Sequence, residues 1–443
     1  LTTTYDPFHP RYFDEADLRG ELTRVYDLCH GCRLCFKFCT AFPTLFDYID
    51  RHDDQDAARM TPAEQDQVVD ECFQCKLCYI NCPYIPGQSE WELDFPRLMM
   101  RAEQVRFKTQ KRSLKTRLTD AALGRTDLIG TLGSAVAPLA NAAIATPESL
   151  PRRLMQATVG IAAVRVLPPY RRQRFSSWFR KRTPRPGRER KATVAVFPTC
   201  LVEYQDTRTG KDLVAVYEHN GVACELPEGQ VCCGAPVLHQ GDVESFVAAA
   251  RKNVAVLAPW IRTQRGRGEE PAVVVPQPTC GYVLKKDYVD YLSGPDAQLV
   301  AEHTYDAAEY LMKLHKEDKA AGGDGLATEF TGDVPESTTY HAPCHLRAQN
   351  VGLRSRDLLK LTGTKITLVA ECSGIDGTWG LREENLAMSR KVASKMADGI
   401  RAAASEVVAG DCSLANGGIR LETDTSPVHP LTVMARAYGL PEE

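Results

Sequence analysis

Eight of the sixteen cysteines fall in two blocks near the N-terminus, Cys29-x2-Cys32-x2-Cys35-x3-Cys39 and Cys72-x2-Cys75-x2-Cys78-x3-Cys82-Pro83. Three thiolates spaced in this way wrap one face of a cubane on a short loop. The fourth, three residues further on, points towards the partner cluster. The spacing therefore predicts two [4Fe–4S] clusters, one held by Cys29, Cys32, Cys35 and Cys82, the other by Cys72, Cys75, Cys78 and Cys39. Zinc sites usually use pairs of C-x2–4-C rather than runs of three plus one.

The 443 residues are enough for about three domains. With 43% hydrophobic and 25% charged residues, the composition is that of a folded protein. The chain opens LTTTYDPFHP, without the pattern of a secretory signal. The expectation is a reducing, cytoplasmic compartment where thiols hold metal. An overall charge of −3 conceals a division. Residues Arg97–Lys191 hold 22 Lys and Arg against 5 Asp and Glu, a balance of +17 that leaves −20 for the remainder. A basic block between two acidic bodies implies a surface for an anionic partner.

Residues 1–96 carry the two cysteine blocks, separated by the polar stretch Asp50–Asp70, and read as helices and loops. Leu22, Val25 and Tyr26 suggest an entering amphipathic helix. Residues 97–191 read as a basic helical connector. The texture then becomes α/β, with helical stretches such as Val243–Ile261 and Ala297–Leu314.

A weak internal repeat relates residues 192–315 to 336–443, with Lys316–Pro335 as the linker. In the first unit TVAVF ends at Pro198-Thr199-Cys200, Cys232-Cys233-Gly234 follows, and AVVV leads to Cys280-Gly281. In the second, STTYH leads to Pro343-Cys344, ITLVA to Glu371-Cys372, and EVVAG to Asp411-Cys412. Nearly every thiol lies just past the C-terminal end of a β-like run, the edge where open α/β sheets gather ligands. Two such units face to face would pool their thiols in one cleft.

These motifs resemble the cysteine-rich CCG module of heterodisulfide reductases and their relatives, which include the iron–sulfur subunits of anaerobic glycerol-3-phosphate, glycolate and lactate oxidation systems. The order of parts is similar to that of the membrane-associated iron–sulfur subunits of anaerobic glycerol-3-phosphate dehydrogenases, over nearly the whole chain. The resemblance implies an α-helical double-cluster ferredoxin domain, a connector and two α/β CCG domains. In the reductases five thiols per unit hold a non-cubane cluster that cleaves a disulfide. Here the first unit keeps Cys200, Cys232, Cys233 and Cys280 but has Val283 in the fifth place. Four thiols suit a third cluster, a cubane. The second keeps only Cys344, Cys372 and Cys412, with Glu371 and Ala415 replacing the others. Those three thiols would hold a three-iron cluster, a cubane completed by Glu371, His341 or His345, or nothing.

Cys224, inside the apolar run GVACEL, reads as a small buried residue. His341 and His345 read as packing or hydrogen-bonding groups beside Cys344 ahead of direct ligands. The loop SGIDGTWG reads as a turn, which in the family borders the cleft. Asp206, Arg208 and Lys211 read as a solvated helix start. Neither G-x-G-x-x-G nor G-x-x-x-x-G-K-[ST] occurs, although Gly210-Lys211 comes near. A chain with clusters and no hydride acceptor moves single electrons between a donor and an acceptor.

Residues Leu128–Pro147 carry no charge, but Pro138 and several small residues make a transmembrane helix a poor reading. The segment Tyr170–Arg182 is both basic and aromatic, the makings of a surface anchor on anionic lipid or of a helical hairpin docked on a partner subunit. No recognition motif accompanies the positive charge, which argues against nucleic acid. The reading is an electron-transfer subunit, peripheral on the inner face of a membrane, working between a flavin dehydrogenase or other redox subunit and quinone. The alternative is a heterodisulfide or persulfide reductase acting at the CCG cleft.

Overall fold

A computed structural model describes residues 5–185, 188–375 and 377–441. Residues 1–4, and Asp376 in the SGIDGTWG loop, lie outside that description. The N-terminal part is helical: α1 (Glu15–Cys32), α2 (Ala41–Asp50), α3 (Pro62–Asp70), α4 (Leu77–Ile80) and α5 (Phe95–Thr109). Local chemistry sets their ends. Asp14 caps α1, and Thr61 with Glu64 forms a capping box at α3, where Pro62 opens the helix. Leu22, Val25 and Tyr26 do face inward, packing with Phe42 and Leu45 of α2. Helix α5 carries this core past residue 96 through Leu98, Met99 and Val105.

Residues Leu114–Lys181 contain five further helices: α6 (Leu114–Gly124), α7 (Thr126–Ala135), α8 (Ala137–Ile144), α9 (Leu150–Val159) and α10 (Phe175–Lys181). Among the described residues no single helix is long and apolar enough to cross a membrane, and α7 and α8 meet at a bend of 107°.

Two parallel sheets follow. The first has the order β2-β1-β3-β4, from β1 (Ala192–Val196), β2 (Val222–Glu225), β3 (Ala272–Val275) and β4 (Thr304–Asp306). The second has the order β6-β5-β7, from β5 (Ser337–His341), β6 (Lys365–Val369) and β7 (Val407–Gly410). All pairings are parallel, with Ala195 opposite Val273 and Tyr340 opposite both Leu368 and Ala409. Strands buried on both faces need continuous apolar runs, and Val273–Val275 supplies one with no exposure at all. In each sheet the chain reverses its winding direction beside the first strand. Those switch points lie between β1 and β3 and between β5 and β7.

The stretch Ala297–Leu314 is not one helix, as its apolar pattern predicts. The helix Pro295–Glu302 ends, β4 adds an edge strand, and a new helix begins at Ala307, capped by Asp306 in a box with Glu309. The two units share one core that includes Val194, Tyr217, Tyr340 and Met434. The segment 316–335 packs into it: the Ala327 amide donates to Asn220 Oδ1 at 2.8 Å, and Tyr438 donates to the Ala327 carbonyl at 2.9 Å.

Candidate metal centres

The cysteine loops are shaped by residues in left-handed conformation. Arg33 ends α1 with φ 55°, its amide bonded to the Cys29 carbonyl, and Gln74 (φ 55°) and Lys76 (φ 64°) flank Cys75. Such backbone is uncommon outside glycine and clusters at functional loops. The arrangement interleaves the two blocks. Burial, then Cys35, Cys82 and Cys32, push the Cys29 thiol well up. Burial, then Cys75 and Cys72, do the same to Cys39, and Cys78 feels Cys75, Cys72 and Cys39. Each thiol four places along its run thus stands among the cysteines of the other block. Backbone and side-chain N–H groups reach the sulfurs as well: Tyr84 donates to Cys82 at 3.4 Å and Gln74 Nε2 to Cys72 at 3.7 Å. Converging thiols, Cys75 and Cys78 buried and the other six half-buried, with N–H donors fit a thiolate-held cluster, whose potential such bonds tune. Among the described residues no three His, Cys, Asp or Glu are placed to hold a single metal ion.

In the first CCG unit Cys200 follows β1 on α11 (Thr199–Tyr204), and Cys280 follows β3, so both sit at the switch point. Cys233 lies 3.2 Å from Cys280. Cys200 and Cys233 both hydrogen-bond Cys232, which holds its thiol well below the ordinary range and theirs above it. All four predicted thiols are therefore contiguous. Thr199 takes φ 62°, rare for a β-branched residue, to turn the chain beneath Cys200. The connector closes the site from outside, because Asp127 of α7 accepts the Cys232 amide at 2.8 Å. Nothing in the sequence pattern singles out Asp127 beyond its being one of five acidic residues in a basic block. Val283, in the place of the fifth thiol, is buried in the apolar core.

The second unit disposes its thiols differently. Cys344 and Cys372 pack against Phe73, Cys75 and Leu77 of the N-terminal domain, while Cys412 lines a cavity on the side of the first unit. Of the three candidate oxygen or nitrogen ligands, Glu371 is exposed, and its carbonyl accepts from His341 Nε2 at 3.0 Å. His345 has both ring nitrogens engaged, Nδ1 with the Thr279 hydroxyl at 2.8 Å and Nε2 with the Gln74 carbonyl at 2.9 Å. Only His341 keeps a buried nitrogen, Nδ1, without a hydrogen-bond partner. His345 therefore has no ring nitrogen left to complete a cubane. Cys224 is buried in the apolar core, as its apolar neighbours predict.

Polar bridges set the two switch points face to face. Gln277 donates to Ser413 Oγ at 2.7 Å and accepts the Ser413 amide at 3.0 Å, and Ser413 donates to Asp206 at 2.7 Å. Asp206 and Arg208 are consequently half-buried and line the cavity, and Lys211 lies 5.3 Å over the Trp178 ring. They are not a solvated helix start. Gly210 leaves room for Phe175, whose ring would be 2.7 Å from a β-carbon there, so the Gly-Lys pair serves packing. The SGIDGTWG loop does border the cleft through Ile375, Gly377 and Thr378.

The connector corrects the reading of an anchor. Phe175 is fully buried, Trp178 and Phe179 pack on the same core, and Arg182 pairs with buried Glu218 at 2.6 Å beneath the Phe179 ring. The aromatic part of Tyr170–Arg182 is structural. Exposed apolar surface lies upstream instead: Leu128, Leu132 and Leu139 on α7 and α8, Leu150 and Leu154 on α9, with Leu150 81% and Leu139 75% exposed.

Comparison with known sequences agrees with these parts. The chain matches the cysteine-rich CCG domain over residues 194–285 and 338–415, and the 4Fe-4S dicluster domain over residues 21–83. It is 28% identical over 338 residues to a subunit of the anaerobic glycerol-3-phosphate dehydrogenase of Escherichia coli (strain K12), a match covering 76% of this chain and 80% of that protein. It is also 28% identical over 249 residues to lactate utilization protein A of Bacillus pumilus (strain SAFR-032), covering 54% of this chain and 96% of the relative. The chain is a CCG-domain iron–sulfur protein with a dicluster domain ahead of its two CCG regions.

Proposed function

We propose that this CCG-domain protein is the electron-transfer component of a membrane-associated oxidoreductase, passing electrons between a dehydrogenase partner and quinone. The observation that carries the reading is the His345 side chain. It spans from Gln74, next to Cys75, to Thr279, next to Cys280, so one ring joins the loop of the N-terminal thiols to the loop of the CCG thiols. In this reading Cys29, Cys32, Cys35 and Cys82 hold one [4Fe–4S] cluster and Cys72, Cys75, Cys78 and Cys39 a second. Cys200, Cys232, Cys233 and Cys280 hold a third. Such clusters supply one-electron transfer. No cluster is assigned to Cys344, Cys372 and Cys412.

The donor would be a flavin dehydrogenase or similar redox subunit. Membrane contact would be made by the exposed leucines of α7–α9. Lys111, Arg117, Arg125 and Arg153, which are exposed and form no ion pair among the described residues, would meet anionic headgroups. Amphipathic helices with such a rim lie in the interface plane, which supports a position on the inner face.

The test compares two oxidants on anaerobically reduced protein. Reoxidation by a short-tailed quinone, and not by small disulfides, is expected. Reoxidation by disulfides alone would favour reductase chemistry at the CCG cleft.

A further inference from the structure

We infer that the cavity of about 590 Å³ between α6–α9 and the two CCG units binds the headgroup and proximal tail of a lipophilic quinone that enters from the bilayer. This rests on the quinone-linked function proposed above. The cluster that Cys200, Cys233 and Cys280 would hold takes up part of this volume, and the remainder, towards α6–α9, is the space assigned to the quinone. Its floor carries Cys200, Cys233 and Cys280, the point to which electrons would be delivered.

Its wall on the connector side is apolar, with Leu123, Ile129, Ile144 and Val159 facing the space. The same helices expose Leu128, Leu139 and Leu154 outward. One layer of helix therefore separates the cavity from the surface proposed to meet lipid, and Ile129 and Leu128 are neighbours on its two sides. A tail passing between these helices would meet that surface directly.

The polar end suits a head that gains negative charge. Among the described residues, five arginines and a single carboxylate, Asp206, line the space. Arg165 is 2% exposed, its Nε has no hydrogen-bond partner, and it forms no ion pair among the described residues. Burial lowers its pKa to about 10, which leaves it charged at neutral pH. Its Nη2 donates to Ser389 Oγ, and Glu422 is the carboxylate that acts on it from outside ion-pair range; a buried cation of this kind stabilises charge that builds on the ring oxygens before protons arrive. The balance is one quinone, two electrons passed singly from the partner's reduced flavin or equivalent donor, and two protons from water, giving one quinol.

The test uses the cluster-loaded full chain in liposomes and a decyl-tailed quinone, with a photoreactive azidoquinone of the same tail for mapping. Labelling of residues 123–161 is expected. Ile129→Trp fills the tail path, and excluding about two methylenes weakens binding about tenfold, with reoxidation by ferricyanide unchanged. Labelling confined to other regions, or an unchanged affinity in Ile129→Trp, overturns the cavity assignment even if quinone still reoxidises the protein. A wild-type chain that ferricyanide reoxidises and quinone does not would overturn the broader function. Should Ile129→Trp fail to fold, the labelling map of the unmodified chain decides.

Discussion

His345 Nε2 lies 2.9 Å from the carbonyl oxygen of Gln74, across the boundary between the second CCG unit and the dicluster domain. The other ring nitrogen meets Thr279 of the first unit, so three parts of the chain converge on one buried imidazole. His345→Ala should leave a buried carbonyl and a hydroxyl unpaired, at a cost of about 1–3 kcal/mol. Hydrogen exchange should rise across residues 72–78, and electrons should leave the dicluster domain more slowly. Unchanged exchange there would show that the bridge is not holding the domains together.

Cys39→Ala should damage the cluster held by Cys72, Cys75 and Cys78 more than the one built on its own sequence neighbours. Cys39 feels Cys75 and Cys72 first among other thiols. EPR of the reduced variant checks this, and selective loss of the Cys29–Cys32–Cys35 signal would contradict it.

Leu128→Ser, Leu139→Ser and Leu154→Ser together should abolish flotation with anionic liposomes. Each loses much of the roughly 1.5–3 kcal/mol of a leucine inserted in an apolar phase. Neutralising Arg171 and Arg172 should matter less, since the aromatics beside them are committed to the core. Equal effects would restore the basic segment as the anchor.

Much of this is legible in the sequence, because the β-branched runs end where the cysteines begin and the block spacing has few physical solutions. Other features are not. Phe175, Trp178 and Phe179 have the composition of an interfacial anchor and also of a core helix, and periodicity over seven residues does not separate these. Asp306-Ala-Ala-Glu309 carries a capping-box signal in plain sequence, yet it lies inside an apolar run long enough to read as one helix. Asp127 and Arg165 draw their significance from elements distant in sequence, which no local pattern encodes.

Asp287 has its pKa pushed up to about 7, chiefly by burial, and its Oδ2 has no hydrogen-bond partner. Unfolded, the carboxyl titrates near about 3.9. Between about pH 4 and 7 the folded state therefore binds more protons, and this group's contribution to stability falls as pH rises through that window. Asp287→Asn should match wild type near pH 4 and melt higher by about 2 °C or more at pH 8. A variant less stable than wild type at pH 8 would show that the charged form is needed.

In the proposed function, electrons pass from the dicluster domain through the Cys200–Cys232–Cys233–Cys280 site to an acceptor in the adjoining cavity. Stopped-flow reoxidation of the fully reduced chain by a decyl-tailed quinone, in wild type, Cys233→Ala and Cys372→Ala, tests it most directly, with iron measured on the same samples. Wild type should hold about twelve irons in three cubanes and reoxidise completely. Cys372→Ala should behave in the same way. Cys233→Ala should lose up to about four irons and leave the dicluster domain reduced while quinone is present. A Cys233→Ala chain whose remaining clusters reoxidise as fast as wild type would contradict the account.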